Sequence, residues 1–498
     1  MATGSDTTFL GEPRLSFAAA NPKLALTGAA TVLLLISLLV HQFLVFKAAK
    51  AAAEQAKAFP HVLQFPPSRR HALAGLPKFE KSMSAPELQV VSPQTLKARA
   101  LSTTKNARPD FDTDNLYTPT GFSTQDLRKL GRFPDYAVLS GVRHPVPTRP
   151  EWDISKAIFR PFRPFRWGYH QHMALMKFEP DWWVELEQNY HKTMAARFEL
   201  LRSHPDLIFF QNPAAELATR ELMEMVLQFT CKRYPQHFWL SDDDTVLHNN
   251  LLNTTTDLST TPALRALFDN IPEDYCLMLR NEDDGFYYLR AAMACSSVGW
   301  NIAQHRNKVL RDIHTHVPDY AEKMAMSMDR YFSKMPADQP VFRCSWSIED
   351  YEVMFTTPEL DENWTRSKFA AHPDKLTVEH LRLRCDSQTL RRLPLSASVV
   401  FNFKAVFTKF EDLRTEPYIP ALLWKVLEGG KENLITYKCD DHVRRVAMDA
   451  LAKWAAEQVE QGIVPKDWEV TTLDESPFYP KWEETWLKKQ GFSVPRAG

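Results

Sequence analysis

The chain has 498 residues and a net charge of −1, with 31 Phe, 14 Tyr and 13 Trp but only 15 Gly. That is the composition of an ordinary globular protein with enough apolar material for a large core. Residues 1–150 carry 18 Lys and Arg against 10 Asp and Glu, yet no basic stripe interleaved with aromatics occurs, so nucleic acid is not an expected partner.

Leu24 to Phe46 (LALTGAATVLLLISLLVHQFLVF) is 23 residues without Asp, Glu, Lys or Arg, long enough to cross a bilayer. The run is too long for a signal-peptide core, and Lys47 with AAKAAAEQAK follows without a cleavage site. It predicts one N-terminal transmembrane helix over 24–46 behind a tail at 1–23. Lys47, Lys50 and Lys57 after it, against Arg14 and Lys23 before it, lean towards a cytosolic body on a single-pass protein, with the endoplasmic reticulum as the expected membrane. Residues 47–150 read as a helical stalk and then an irregular tether punctuated by FPPSRRHALAGLP and HPVPTRPEW. The compact core is expected over 151–425, with a helical extension at 426–498.

Asp181 to Ser203 has helical spacing through Trp183, Leu186, Tyr190, Met194, Phe198 and Leu201. DYCLMLR and FYYLRAAMAC read as strands joined at Asn281 to Gly285. Helical spacing returns over Asn301 to Ile313. Asp319 with Glu322 then predicts a capping box opening a helix that presents Met324, Met328, Tyr331 and Met335. PVFRCSWSI and SASVVFNFKAVF are strands. In the second, Val399, Phe401, Phe403 and Phe407 alternate with Asn402, Lys404 and Thr408, giving one face to the core and one to solvent or ligand. From Leu422 the pattern is helical. Without a βαβ rhythm, these elements predict an α+β fold around an antiparallel sheet. There is no G-x-G-x-x-G, no G-x-x-x-x-G-K-[ST] and no C-x-x-C among six scattered cysteines, so a nucleotide, zinc or iron–sulfur site of its own is not expected.

Two H-x-H pairs stand out, His170-Gln-His172 and His314-Thr-His316. On a strand, such a pair points one way and can clasp a metal ion with a carboxylate as third ligand, although 16 histidines produce such pairs by chance. His314 follows Leu310 by about one turn, while His316 falls in the break at Val317-Pro318. A single imidazole ending an amphipathic helix suits an axial haem ligand; it also suits a simple helix cap. In FRPFRWGYHQHM, Arg163 and Arg166 lie among Phe162, Phe165, Trp167 and Tyr169. That mixture fits a flat anionic ligand, or a solvated loop with a cation–π contact.

PFRPFRWGYHQHMALMKFEPDWWVELEQNY, GFYYLRAAMACSSVGWNIAQHRNKVLRDIHTHVPDY, VFRCSWSIED and DSQTLRRLPLSASVVF occur in this order. Through them the chain resembles the haem-dependent oxidative N-demethylase family (α-subunit-like domain), in a fungal-looking, membrane-anchored form, over roughly residues 150–425. The resemblance implies a PAS-like helical-grip fold, an antiparallel sheet holding haem b and its iron against helices. It implies oxidation of a small secondary amine by dioxygen to an aldehyde and a dealkylated amine. The electrons come from NAD(P)H through a redox partner carrying FMN and an iron–sulfur centre.

It further implies that His314, after Ile313, is the iron ligand. The family's tyrosine–histidine is matched by Tyr169-His170, and on the haem-monooxygenase reading His170 or His172 is the polar group that stabilises oxygen and manages protons. Arg163, Arg166, Trp167, Arg343 and Trp346 contact the cofactor, and Arg391 and Arg392 in Gln388 to Pro394 meet its propionates. The chain departs from the family pattern at Asp386-Ser387 (Glu-Arg), His172-Met173-Ala174 (Thr-Met-Gly) and Lys404-Ala405-Val406 (Arg-Thr-Tyr). Should these positions line the pocket, the cofactor is kept and the substrate altered, and dimethylamine is not the expected substrate. The reading is a membrane-anchored haem monooxygenase. Its alternatives are a haem sensor without turnover, a non-haem metalloenzyme built on the H-x-H pairs, and a tethered scaffold.

Overall fold

The computed structural model describes residues 36–47, 50, 120, 122, 124–170, 172–281, 284–360 and 365–493. Its strands are β1 (Met176–Lys177), β2 (Phe209–Gln211), β3 (Phe238–Leu240), β4 (Val246–Asn249), β5 (Thr254–Asp257), β6 (Asp274–Arg280), β7 (Tyr287–Met293), β8 (Val341–Glu349), β9 (Arg382–Arg392) and β10 (Val399–Lys409). Seven of them form one antiparallel sheet in the order β1-β8-β9-β10-β6-β7-β2, and β3-β4-β5 form a small second one. The α+β class with an antiparallel sheet is thus what the chain adopts.

The sheet is covered on both faces. Because side chains alternate along a strand, the register decides what each face carries. Ser345 pairs with Asp386 and Arg343 with Gln388; Gln388 pairs with Phe403, and Phe401 with Cys276. These residues share one face, above which lie the short helices α1 (Leu310–Ile313), α2 (Tyr320–Lys323) and α3 (Ala325–Lys334). On the other face Cys344, Trp346, Ile348, Leu383 and Cys385 pack against α4 (Ile419–Gly429) and α6 (Asp441–Glu460), the helices flanking α5 (Glu432–Lys438). Further along that face Tyr275, Leu277 and Val400 join a separate core with Leu222, Val226 and Phe229.

β10 inverts the expectation drawn from its alternation. Its apolar Phe401 and Phe403 line a cavity. Its polar Asn402 and Lys404 are buried at 2% and 5% exposure on the other face. There Asn402 Nδ2 donates to Glu273 Oε2 at 3.1 Å, and Lys404 Nζ donates to the Glu185 carbonyl at 2.9 Å. Buried polar groups of this kind need partners, and these have them.

Several helices are shorter than their spacing predicts. The helix over 181–203 is confined to Tyr190–Ser203. Before it Trp183, Val184 and Leu186 are all buried, and the Leu186 N–H donates to the Tyr234 hydroxyl at 3.0 Å instead of to a helical turn. The stretch 301–313 breaks after a 3₁₀ turn at Ile302–His305, because Asn307 N and Lys308 O pair with Leu289 at the edge of β7. The capping box at Asp319 does not form. Asp319 takes φ +58 and its carboxylate accepts from Lys431 Nζ at 2.7 Å and Asn433 Nδ2 at 3.0 Å. The central strand β9 was missed in the sequence because charged and polar residues hide its period.

The transmembrane helix placed before this fold is corrected. Among the described residues no helix is long and apolar enough to cross a membrane. Of the stretch 24–46, residues 36–46 are described and helical, and residues 24–35 lie outside the described residues. The single-pass placement in the endoplasmic reticulum with a cytosolic body falls with the helix that it rested on.

Arg163 ties the FRPF segment to the rest. Its Nε and Nη2 donate to Glu416 at 2.5 and 2.6 Å, with side chains 2% and 6% exposed, and Nη1 donates to the Phe162 carbonyl. Removing one partner of such a buried pair leaves an uncompensated charge. Arg163→Met is expected to destabilise the fold by about 3–5 kcal/mol in urea unfolding, and Arg163→Met with Glu416→Met to recover most of that loss.

Candidate functional site

A cavity of about 380 Å³ lies between the sheet face described above, helices α1–α3 and the irregular residues 164–170 and 172–175, a volume within the range of small-molecule sites. Its walls differ in character. Met278, Leu289, Phe401 and Phe403 from the sheet face Leu310, Ile313, Met324, Met328 and Phe332 from the helices. Towards β8 and β9 the lining turns polar, with Arg343, Ser345, Asp386 and Gln388, and with Tyr437 and Lys438 reaching over from α5.

Five histidines line it: His170, His172, His305, His314 and His316. Backbone contacts assign proton positions on three of them. His314 follows the last residue of α1, and its Nδ1 lies 2.8 Å from the Leu310 carbonyl. A carbonyl only accepts, so Nδ1 carries the proton and Nε2 keeps its lone pair. The ring stacks on Tyr320 at 5.1 Å and 17°. Burial, ahead of the charges of Arg343 and His316, lowers its pKa and keeps it neutral. His170 is held the same way, with Nδ1 on the Gly168 carbonyl at 2.6 Å.

His172 is the opposite case. Its Nδ1 accepts from the Ala174 N–H at 2.9 Å, where the backbone bends through φ +52, so in the neutral ring Nε2 is the donor. Burial, then Arg166 and His170, lowers its pKa. The His170 and His172 rings stand 5.0 Å apart, and neither residue belongs to a strand. Buried His305 is 6.1 Å from His316, has no partner at Nδ1, and is pushed down to about 4 by burial. Among the described residues no three His, Cys, Asp or Glu side chains converge as a metal cage.

Of the residues singled out in the sequence, the structure brings Arg166, His170, His172, His314, Arg343 and Trp346 to the cavity and leaves four outside it. Arg163 is consumed by Glu416. Trp167 packs on Gly429, whose absent Cβ would lie 2.5 Å from the indole, and beneath Lys425. Arg391 points to the opposite sheet face, 4.0 Å above Trp183. Arg392 anchors the roof: it donates to the Met335 and Phe332 carbonyls at the end of α3 and to the Tyr287 hydroxyl. Two of the departures from the family pattern reach the cavity, His172-Met173-Ala174 and Asp386, whereas Lys404, Ala405 and Val406 do not line it. Sequence reasoning missed Gln388, Lys438 and His305. The period-2 run Arg384, Asp386, Gln388 could have exposed the first; nothing local marks Lys438.

The residues fit a haem. One neutral imidazole with a free Nε2 and an Nδ1 fixed by a carbonyl is the arrangement that a protein gives an iron ligand. The apolar walls suit a macrocycle. Among the described residues, five buried polar atoms of side chains that line the cavity have no partner: His305 Nδ1, the Tyr320 hydroxyl, Arg343 Nε, Gln388 Oε1 and the Ser476 hydroxyl.

The family model for haem-dependent oxidative N-demethylase, alpha subunit-like, matches residues 174–448. The match covers more than half of the chain, and the chain belongs to this family.

His305 makes stability depend on pH. Its folded pKa of about 4 lies below the ordinary 6.5, so as pH falls the unfolded chain takes the proton first. The contribution is complete above about pH 6.5 and is lost towards pH 4, by up to about 1.4 kcal/mol per pH unit. Urea unfolding at about pH 6 and pH 5 is expected to show a smaller loss for His305→Gln than for the wild type.

Proposed function

We propose that this chain is the haem-carrying component of an oxidative N-dealkylation. The reaction oxidises a carbon beside the nitrogen of an amine with dioxygen. One oxygen atom goes into the departing aldehyde and the other leaves as water, with two electrons and two protons consumed. Family membership supports the haem and the class of reaction. The observation that carries the assignment of residues is His314, a neutral imidazole with its Nδ1 proton bound at the Leu310 carbonyl, beside a cavity of about 380 Å³.

A haem b held here supplies the one-electron and dioxygen chemistry. His314 offers Nε2 to the iron, and the Leu310 carbonyl orients the ring and raises its basicity. His172, neutral and protonated at Nε2, donates a hydrogen bond without bringing a charge into the cavity. His170, exposed at the mouth with Nε2 as acceptor, exchanges protons with solvent. Met278, Leu289, Phe401 and Phe403 exclude water from the reacting carbon. Electrons come from a separate reductase carrying FMN and an iron–sulfur centre and using NAD(P)H, in keeping with a sequence that has no dinucleotide or ferredoxin motif. The substrate is an amine other than the smallest secondary amines, because the altered His172-Met173-Ala174 and Asp386 line the cavity.

Reconstitution with haem is expected to give a Soret band that shifts on reduction under carbon monoxide. His314→Ala should weaken haem binding by at least about tenfold, as loss of an axial ligand or its support does, and added imidazole should restore the spectrum. An unchanged spectrum in His314→Ala sinks the assignment. With a chemical or enzymatic reductant, an amine panel should release aldehyde in proportion to oxygen consumed. His172→Phe should lower that rate by about 10²-fold or more, within the range for a positioned proton donor, while leaving haem binding intact.

A further inference from the structure

We propose that Arg343 and Lys438 form a carboxylate-binding end of this cavity. The inference rests on the haem reading for only one of the two sources from which the carboxylate can come, a propionate of the porphyrin or an acidic group on the substrate.

Both cations line the cavity, Arg343 from β8 and Lys438 from the last residue of α5. Arg343 Nε is buried without a partner. Lys438 Nζ donates to a neutral group, the Ser345 hydroxyl, at 2.9 Å, and its ammonium lies 5.8 Å from the centre of the Trp346 ring. Among the described residues neither cation makes an ion pair. Asp386 stands across the strand from Ser345, yet its Oδ1 is engaged by Arg384 Nε at 3.0 Å. The charged and titratable groups facing Lys438 are therefore Arg343 and Cys344 of β8, Asp386 of β9, and Arg366. Arg366 is answered by Glu349 and Asp440, each at 3.9 Å, as Asp386 is by Arg384, which leaves Arg343 and Lys438 as the cations without an ion pair.

Buried charge without a counter-charge is costly. Both side chains are half-buried; burial lowers the pKa of Arg343, and burial, then Arg343, brings Lys438 down to about 8. A carboxylate between them relieves both, since a planar guanidinium fork matches it and the ammonium adds a second charge. Gln388, opposite Arg343 and unpartnered at Oε1, adds an amide that can turn its N–H groups inward. Beyond this end the sheet and helix walls are apolar, with Met278, Leu289, Phe401 and Phe403 facing Leu310, Met324 and Phe332, so the ligand is a carboxylate on a largely apolar body. Because Lys438 is charged only below about pH 8, affinity for that carboxylate falls as pH rises through this value.

The full-length chain is titrated with ferric protoporphyrin IX against its dimethyl ester by absorbance. It is also titrated, with and without haem, with hexanoate against hexanamide by calorimetry. In at least one pair the acid is expected to bind at least about tenfold more tightly, equivalent to ~1.4 kcal/mol. Lys438→Met and Arg343→Met should each abolish most of that preference and Lys438→Arg should keep it. The wild-type preference should shrink between about pH 7 and pH 9.5, whereas that of Lys438→Arg should not, a comparison that holds even if the Met variants fail to fold. Preference in the porphyrin pair assigns the site to a propionate; preference in the hexanoate pair assigns it to the substrate. If hexanoate is preferred while neither porphyrin binds, the haem reading fails and this one stands. Equal binding within both pairs, no binding of any probe, or a preference that survives both Met variants overturns it.

Discussion

The structure depends on a sheet buried on both faces that nonetheless carries polar residues on its adjacent strands β8, β9 and β10. A buried polar group needs a partner, and the two faces meet that need differently. On one, Asn402 is paired with Glu273 and Lys404 with Glu185. Burial raises Glu273 to about 7, with Lys404 working against it. On the other face Arg343 and Gln388 look into the cavity with unpartnered atoms. The unmet groups collect where a ligand can meet them, and the met ones hold the sheet to the chain behind it.

Order around the cavity comes from residues that do not touch its contents. Arg392 holds the end of α3 to the sheet through the Met335 and Phe332 carbonyls. Arg163 and Glu416 lock the start of the segment that carries His170 and His172. Backbone groups then set the rings, as the Leu310 and Gly168 carbonyls impose one tautomer on His314 and His170 while the Ala174 N–H imposes the other on His172. Donor and acceptor roles are in place before any ligand arrives, so little reorganisation is needed at the moment of reaction.

The pattern of arginines shows where sequence reasoning succeeds and fails. Arg163, Arg166, Arg343, Arg391 and Arg392 look equivalent as a list of cations near aromatics. One step of the β pleat separates Leu390, facing the cavity, from Arg391, stacked on Trp183 behind the sheet. The helices over the cavity were legible as apolar faces, and their short lengths were not. Their breaks come from distant partners, Leu289 for the segment at Asn307 and Lys431 for Asp319. Those partners lie 18 and 112 positions away along the chain, beyond any local window.

The sequence by itself determined the α+β class, the β6–β7 and β8 and β10 strands, the helical tail and the family, because these rest on local periodicity and on motifs that keep their order. It also pointed to His314, whose place at the end of a short apolar turn is a local property. Only the tertiary structure decided which face of each strand met the cavity and which arginines were spent on ion pairs and carbonyls. It alone brought Lys438 across to Arg343, 95 positions apart in the chain. Register and long-range pairing settle those questions, and a one-residue shift in register would reverse every answer.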